Sequence, residues 1–533
     1  MPGGQLQLNS YKTNDSFLTI NPQKTFFRKT YHQYSNFAKL NFSLECRPIK
    51  GRAFFNKKNN FSIKLPRHGD LIKEFYIHLT LPKLLTGSFA EIKWIKDLQF
   101  KIIESIKFKI GGKIIQEFDS ELLYLRHELL LNMEKKALAN TISKPYTSFG
   151  QCCIPTSSLF IPIPVWFFDV PFPITCLEFM DFEIDIQTNC IFDLLLVREK
   201  DIVNFPGTEI NRAPWRRLDI QEYDQMVPTN FEIKPNIKIN YIFLEQRELK
   251  NYFVFDNRIL IERHNRITVK NIQGHRKYNK DKQLLKYSYD TFGCTRSITV
   301  LMRKKPTACQ YNQHFNFTNL DNIDRANVLL FQNKLFKTAI EDCSGGDLLT
   351  YLDDFTNDTI GTTKILTTNK YPKLYQDVIS QGFVGAINID YIDAFRSAEV
   401  KAIREQWEFR DISGSLNNIP LIKDTFKRNI IDSMQIKFNN IERQEYQTAA
   451  FYQELELFKH FPSTNNNSIY TINFSLEPNQ KKPSGQCNLS HIREVVLNLK
   501  LNLETNCEYE LVLYNCYYNI LHLHSGSAKF IFD

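Results

Sequence analysis

The sequence predicts an all-β protein of packed sheets, arranged as two β domains of similar type. Three observations carry this reading. Apolar and polar residues alternate with period two in many separate stretches, as half-buried strands require. Aromatic residues make up 13% of the 533 residues, including 43 Phe and 24 Tyr, and such side chains fit pleated surfaces. Glycine is scarce at 19, and stretches with helical spacing are rare.

The elements follow in chain order. Residues 75–81 form the first clear strand. Ile106, Phe108 and Ile110 then alternate with Lys107 and Lys109. Gly111-Gly112 follows and reads as a hairpin turn, because glycine reaches positive φ without steric cost. Met180, Phe182, Ile184 and Ile186 alternate with Asp181, Glu183 and Asp185. Residues 239–244 close the first half, and a break near 249–265 separates the halves, with a short helix expected within 245–255. Strands are then expected at 267–269, 298–302, 434–438, 470–476, 497–503, 511–514 and 520–523. Helical periodicity is best at 394–407, where Val400, Ile403 and Trp407 share a face. Residues 305–420 alternate less and are richer in Asp, Asn, Thr and Gly, so they read as long loops decorating the second domain.

Composition excludes several classes. The net charge is +9, from 67 Lys+Arg against 58 Asp+Glu, and no dense basic block marks a nucleic-acid surface. The nearest run, 276–286 with Arg276, Lys277, Lys280, Lys282 and Lys286, reads as a solvated loop. Eleven cysteines are scattered without a C-x-x-C pair, which fits reduced thiols rather than a disulfide framework. No secretory leader is visible, and no apolar run reaches the roughly 18 residues of a membrane span. The most apolar stretch, 152–174, is interrupted by Pro155, Pro162, Pro164, Pro171 and Pro173.

Catalytic patterns are not found. Gly111-Gly112-Lys113 lies between strands, not before a helix, so it is no phosphate loop. His522 and His524 share a strand face but have no identifiable third ligand. Ser525-Gly526-Ser527 has no helix after it to make a nucleophile elbow. We assign no catalytic, cofactor-binding or metal residue, expect no cofactor, and read the chain as a non-enzyme. Sequons such as Asn60-Phe61-Ser62 and Asn316-Phe317-Thr318 occur in an Asn-rich chain.

An ordered series of motifs spans both ends and much of the middle. The opening carries Gly3-Gly4-Gln5-Leu6, then Asn21-Pro22, Thr25-Phe26-Phe27 and Asn36-Phe37. Gly69-Asp70 is followed by Leu79-Thr80-Leu81-Pro82, then Trp94 and the strand ending at Gly111-Gly112. Residues 159–167 read LFIPIPVWF, with Pro162, Trp166 and Phe167. Tyr241 to Leu244 precede Glu248. Near the C-terminus stand Pro483-Ser484-Gly485, Asn488, Ser490, Asn519 and Ser525-Gly526. This series resembles the major capsid proteins of nucleocytoplasmic large DNA viruses, the iridovirus, phycodnavirus and mimivirus relatives. Departures are Ile20 for a glycine, His491 for an arginine and Asn440 for a hairpin glycine; residues 305–420 match least.

The resemblance implies a double jelly roll: two consecutive eight-stranded sandwiches. It divides the chain into an N-terminal arm at 1–24, a first jelly roll at 25–250 and a second at 251–533 with loop insertions around 305–420. It implies a pseudo-hexagonal homotrimer tiling an icosahedral shell in the virion, assembled in the host cytoplasm. Expected partners are the chain itself, neighbouring capsomers and minor capsid proteins beneath the shell. An internal membrane lies nearby; nucleic acid is not contacted directly. Thr25-Phe26-Phe27 would anchor the first sheet, and 305–420 would form the outer tower. Two alternatives stand beside this reading. One is a minor capsid paralogue of the same fold. The other is a jelly-roll protein that binds glycans or receptors through its outer loops.

Overall fold

The computed structural model describes residues 33–85, 90–145, 153–165, 171–199, 216–217, 231–254, 257–273, 283–289, 293–305, 312–319, 429–462, 468–480, 482–503 and 507–532, with Gly3, Gln5, Asn21 and Phe27. Two sets of eight strands dominate. The first set is β1 (Phe37–Glu45), β2 (Asn59–Lys64), β3 (Leu71–Leu81), β4 (Ile103–Ile110), β5 (Lys113–Asp119), β6 (Ser157–Pro162), β7 (Phe182–Thr188) and β8 (Asn236–Leu244). They form two antiparallel sheets, in the orders β1-β8-β3-β6 and β2-β7-β4-β5.

The second set is β9 (Asn257–Gln273), β10 (Gln283–Tyr289), β11 (Cys294–Lys304), β12 (Ile431–Phe438), β13 (Ile441–Thr448), β14 (Tyr470–Asn473), β15 (Val495–Leu501) and β16 (Glu508–His524). Its sheets run β9-β16-β11-β14 and β10-β15-β12-β13. Adding eight to each label of the first half reproduces the second. Each half is therefore a jelly roll, and the chain is a double jelly roll.

This topology sorts the connections to two ends. One end, the turn end, holds the tight hairpins β4–β5 and β12–β13, the start of β1 and the exit of β8. Helix α3 (Gln246–Val254) leads from there to β9. The opposite end, the insertion end, holds the β5–β6 connection with α1 (Ser120–Leu130) and α2 (Met133–Ser143). The long β11–β12 connection also leaves and returns there.

Local sequence explains the elements. In β7, Phe182, Ile184 and Ile186 are buried while Glu183, Asp185 and Gln187 lie between them. The two hairpin turns have positive φ at both central residues: 55° and 79° at Gly111 and Gly112, 48° and 65° at Asn439 and Asn440. That backbone matches the twist of the flanking strands. Asn440 replaces the expected glycine because asparagine tolerates the left-handed region.

Several sequence expectations need correction. Residues 511–514 and 520–523 belong to one strand, β16; residues 511–519 are buried on both faces, which erases the period-two signal. The sequence pattern does not announce the helices α1 and α2: α1 is buried almost all round, so it shows no apolar stripe. Phe27 is 99% exposed, and among the described residues the first strand starts ten residues later, at Phe37. The helix expected in 245–255 is α3. The helix at 394–407, most of the 276–286 basic run and nearly all of 305–420 lie outside the described residues, as do Gly4, Pro22, Thr25, Phe26, Trp166 and Phe167.

The cores do not follow the division into halves. One core fills the first sandwich and continues into the second half through Ile261, Leu301, Phe315, Val512 and Tyr514. A separate core fills the second sandwich around Met434, Leu497, Leu499 and Leu511. Close packing also fixes Gly69, where an added Cβ would lie 2.8 Å from Tyr241 Cβ. Tyr241 cannot retreat: it is fully buried, and its hydroxyl donates to the Pro66 carbonyl at 2.6 Å. Gly69→Ala is therefore expected to cost about 1–3 kcal/mol by overpacking, read as a lower denaturation midpoint at unchanged slope.

Candidate functional site at the junction of the two sandwiches

The elements that hold the halves together are α1, β5, β9, β11 and β16. Asp119 ends β5 and caps α1, its Oδ1 accepting the Leu122 N–H at 2.7 Å. The helix then runs between the sandwiches. Its Tyr124 ring stacks on Phe315 of the β11–β12 connection, centroids 4.6 Å apart. Asn312 of that connection reaches back to the first half, donating to the Phe192 and Leu195 carbonyls at 3.0 Å each.

A buried ionic cluster lies at the centre. Glu262 of β9 is 1% exposed. Arg126 of α1 donates to its Oε2 at 2.7 Å, and Arg296 of β11 to its Oε1 at 2.9 Å. His264 Nε2 sits 2.9 Å from Glu262 Oε1. Gln116 of β5 donates to the Glu262 backbone carbonyl at 3.1 Å. Burial alone would raise the Glu262 pKa; the guanidiniums of Arg126 and Arg296, with His264, overcome it and hold the carboxyl well below its usual range. Burial depresses the His264 pKa despite Glu262, and the same Nε2 lies 3.1 Å from Arg126 Nη2.

A second cluster lies towards the insertion end. Glu121 of α1 accepts from Arg303 at 2.5 Å and from Arg266 at 3.1 Å. Arg303 also pairs with Glu510. The Tyr514 hydroxyl lies 2.7 Å from Asp119 Oδ2 and 3.0 Å from Glu121 Oε2. Burial, then the Glu121 charge, raise the Asp119 pKa, whereas the arginines keep Glu121 ionised against its own burial. Asp119, Glu121, Arg266, Arg303 and Glu510 border a cleft of about 400 Å³.

Glu262, His264 and Cys516 bring three donor atoms within 4.8 Å. They do not suit a metal cation, because two guanidiniums already occupy the carboxylate and a third positive charge would be repelled. The His522 and His524 rings stack with centroids 5.6 Å apart. The junction joins one sandwich to the other through buried ion pairs and hydrogen bonds.

The motif residues named from sequence lie elsewhere, mostly at turns and strand ends. Gly69-Asp70 precedes β3; Asp70 Oδ2 accepts the Leu244 N–H at 2.8 Å and ties that turn to β8. Phe37 pairs with Leu244, and Asn36 precedes it, exposed. Pro162 ends β6, an edge strand, where its missing N–H costs no ladder bond. Pro483-Ser484-Gly485 forms a loop in which Ser484 accepts the Leu476 and Glu477 N–H groups. Asn488 Oδ1 accepts the Ser490 N–H, and Ser490 Oγ accepts the Gly293 N–H. Asn519 donates to the Phe532 carbonyl at 2.7 Å and pins the last described residue to β16. Ser525-Gly526 makes a turn, and the Gly526 carbonyl accepts the Phe179 N–H from the first half at 3.1 Å. Gly3 and Asn21 are exposed. Sequence reasoning missed Arg126, Glu262 and Arg296. The one available signal was the charged run Glu262, Arg263, His264 and Arg266 inside an apolar strand. Asn316 of the second sequon is 3% exposed, so it cannot carry a glycan in the folded chain.

Comparison with known proteins agrees with this architecture. The family profile described as "Major capsid protein N-terminus" matches residues 25–245. The profile described as "Large eukaryotic DNA virus major capsid protein" matches residues 259–529. The chain is 22% identical to the major capsid protein of Phaeocystis pouchetii virus, over 99% of this chain and 98% of that one. It is 21% identical to probable capsid protein 4 of Acanthamoeba polyphaga mimivirus, over 98% and 97%. The fold superposes on the PBCV-1 virus capsid with a TM-score of 0.59 at 15% identity, covering 96% of this chain and 100% of that one. The Faustovirus major capsid protein gives 0.56 at 11%, covering 97% and 94%.

Two outcomes are expected of the Glu262 cluster. Glu262→Gln strands two buried guanidiniums and should cost about 3–5 kcal/mol, seen as a fall in the chemical denaturation midpoint. Acid should act through the same group. A carboxyl whose folded pKa is depressed gives its full stability above the unfolded value of about 4.3. That contribution erodes below this value and is gone once the pH passes the folded pKa. The wild-type melting temperature should thus fall steeply below about pH 4, and the Glu262→Gln variant should show a shallower acid limb.

Proposed function

The chain belongs to the major capsid protein family of large eukaryotic DNA viruses, and from that membership we propose that three copies close into a pseudo-hexagonal homotrimer, the capsomer of an icosahedral shell. A hexagonal tile needs six similar corners. One chain supplies two bodies of the same strand order, and three-fold closure supplies the remaining factor. The observation that carries this reading is the buried junction. Only a fixed angle between the sandwiches lets three copies close, and Arg126, Glu262 and Arg296 fix it.

The work of such a protein is assembly, not catalysis, and as a capsid protein its place is the virion. Exposed apolar side chains suit obligate contacts between copies. On α2, Leu138 and Ile142 face solvent one turn apart, and Phe458 is 85% exposed on the β13–β14 connection. The turn end faces the interior, where minor capsid proteins and an internal membrane lie. The insertion end, from which 305–420 departs, faces outward as the tower. No helix among the described residues is long and apolar enough to cross a membrane. Assembly takes place in the host cytoplasm, and the role is that of the dominant shell protein.

Light scattering after size exclusion tests the trimer. Three copies of 62.8 kDa give about 188 kDa, expected at every concentration measured. A stable monomer would overturn the capsomer reading and leave a paralogue of the same fold.

A further inference from the structure

Within the trimer proposed above, on which this contact depends, we propose that the outer face of the sheet β1-β8-β3-β6 receives the β13 edge and the following helical turns of a second copy, head to tail. Glu445 and Glu454 of one copy then face Lys39 and Lys73 of the next.

The chain contains its own template. Within one copy, β5 and α1 of the first half lie on the outer face of the sheet β9-β16-β11-β14. On β16, Leu511 and Leu513 fill the second sandwich, while Val512 and Tyr514 join the core of the first. β8 is the counterpart of β16. Its Ile237, Ile239 and Tyr241 fill the first sandwich, but Lys238 on the opposite face is exposed, and Asn236 and Asn240 are partly so. The same face is thus covered in the second half and open in the first. A head-to-tail contact repeats one step around a ring and covers the open face in every copy.

Register identifies the counterparts. The ladder of β8 with β3 slips past Lys73, as the ladder of β16 with β11 slips past Arg296. Lys73 therefore stands where Arg296 stands. Just past the slip, Lys39 lies opposite Ile242, where Glu262 lies opposite Tyr518. The docking edge repeats too. Bulges in the two hairpins pair Gln116 with Phe108 and Gln444 with Ile436, so Gln444 of β13 takes the place of Gln116, which bonds the Glu262 carbonyl. Helical turns Phe451–Leu455 and Glu456–His460 follow β13 as α1 follows β5. Leu455 comes as far after Thr448, the end of β13, as Arg126 comes after Asp119, the end of β5.

The charges are reversed between the two contacts. Within one copy a basic helix residue, Arg126, meets an acidic strand residue, Glu262. On the open face the strand side is basic: Lys39 is exposed and Lys73 half-buried. The approaching edge is acidic, with Glu445 and Glu454 exposed. Leu455 and Phe458 are exposed on the same helical turns and supply apolar area. Opposite charges across an interface steer encounter and fix register, and like charges suppress wrong pairings.

Light scattering of the full-length protein after size exclusion tests the contact. The wild type should run at about 188 kDa, three times 62.8 kDa. Lys39→Glu with Lys73→Glu should run at 62.8 kDa, and so should Glu445→Lys with Glu454→Lys. All four changes in one chain should restore the trimer. Phe458→Ser, at an exposed site, should lower the urea concentration at which the trimer dissociates. Near-UV circular dichroism equal to that of the wild type checks that each variant is folded. A wild-type monomer would overturn the capsomer reading and this contact with it. A wild-type trimer that survives either charge reversal overturns this contact alone and leaves the face to another protein. So does dissociation that the combined variant does not repair, or an unshifted urea midpoint in Phe458→Ser.

Discussion

A carboxylate with 1% exposure cannot stand alone, and Glu262 is the constraint on which the arrangement of the molecule depends. Arg296 comes from its own half, but Arg126 comes from the other, through a helix inserted between the sandwiches. Replacing such a cluster by well-packed apolar residues is often neutral or stabilising, so its worth is not chiefly in stability. Its worth lies in discrimination. Sliding one sandwich past the other uncovers a buried charge, whereas an apolar interface would tolerate the slip. Under the proposed trimer, a subunit that closes a ring needs that intolerance more than it needs another kilocalorie.

The apolar packing supports the same reading. The core of the first sandwich runs on into Ile261, Leu301, Val512 and Tyr514, so the halves share hydrophobic surface and do not merely touch. Phe315 stacks on Tyr124, and Asn312 reaches the carbonyls of Phe192 and Leu195. The second half thus sends part of its longest connection into the first. At the turn end, Gly526 accepts from Phe179. The junction is bonded at both ends and charged in the middle, which resists both hinge and twist.

The sequence made the sandwiches legible and hid the junction, for a physical reason. Strands with one face in the core, such as β4 and β7, alternate cleanly and are read at once. Elements at the junction are covered on more than one side. In β16, residues 511–519 are all buried, and α1 is buried from Ser120 to His127. Periodicity disappears where both faces are apolar environments, so β16 reads as two fragments and α1 as nothing. The ionic cluster joins positions 126, 262 and 296, and nothing in their spacing announces that they meet.

The motif residues show the complementary case. They are legible because turns are exacting: a type I′ hairpin needs two positive φ values, and an edge strand accepts a proline that a central strand does not. Asp70, Ser484, Ser490 and Asn519 each satisfy a backbone group that no ladder reaches. Few residue types meet such demands, so a turn leaves a recognisable trace even at 22% identity to a relative. A core accepts any apolar set of the right volume, and a junction accepts any arrangement of charges that balances. The fold is therefore recognised by its corners, while the buried pairs that join the sandwiches are made by residues that carry no signature.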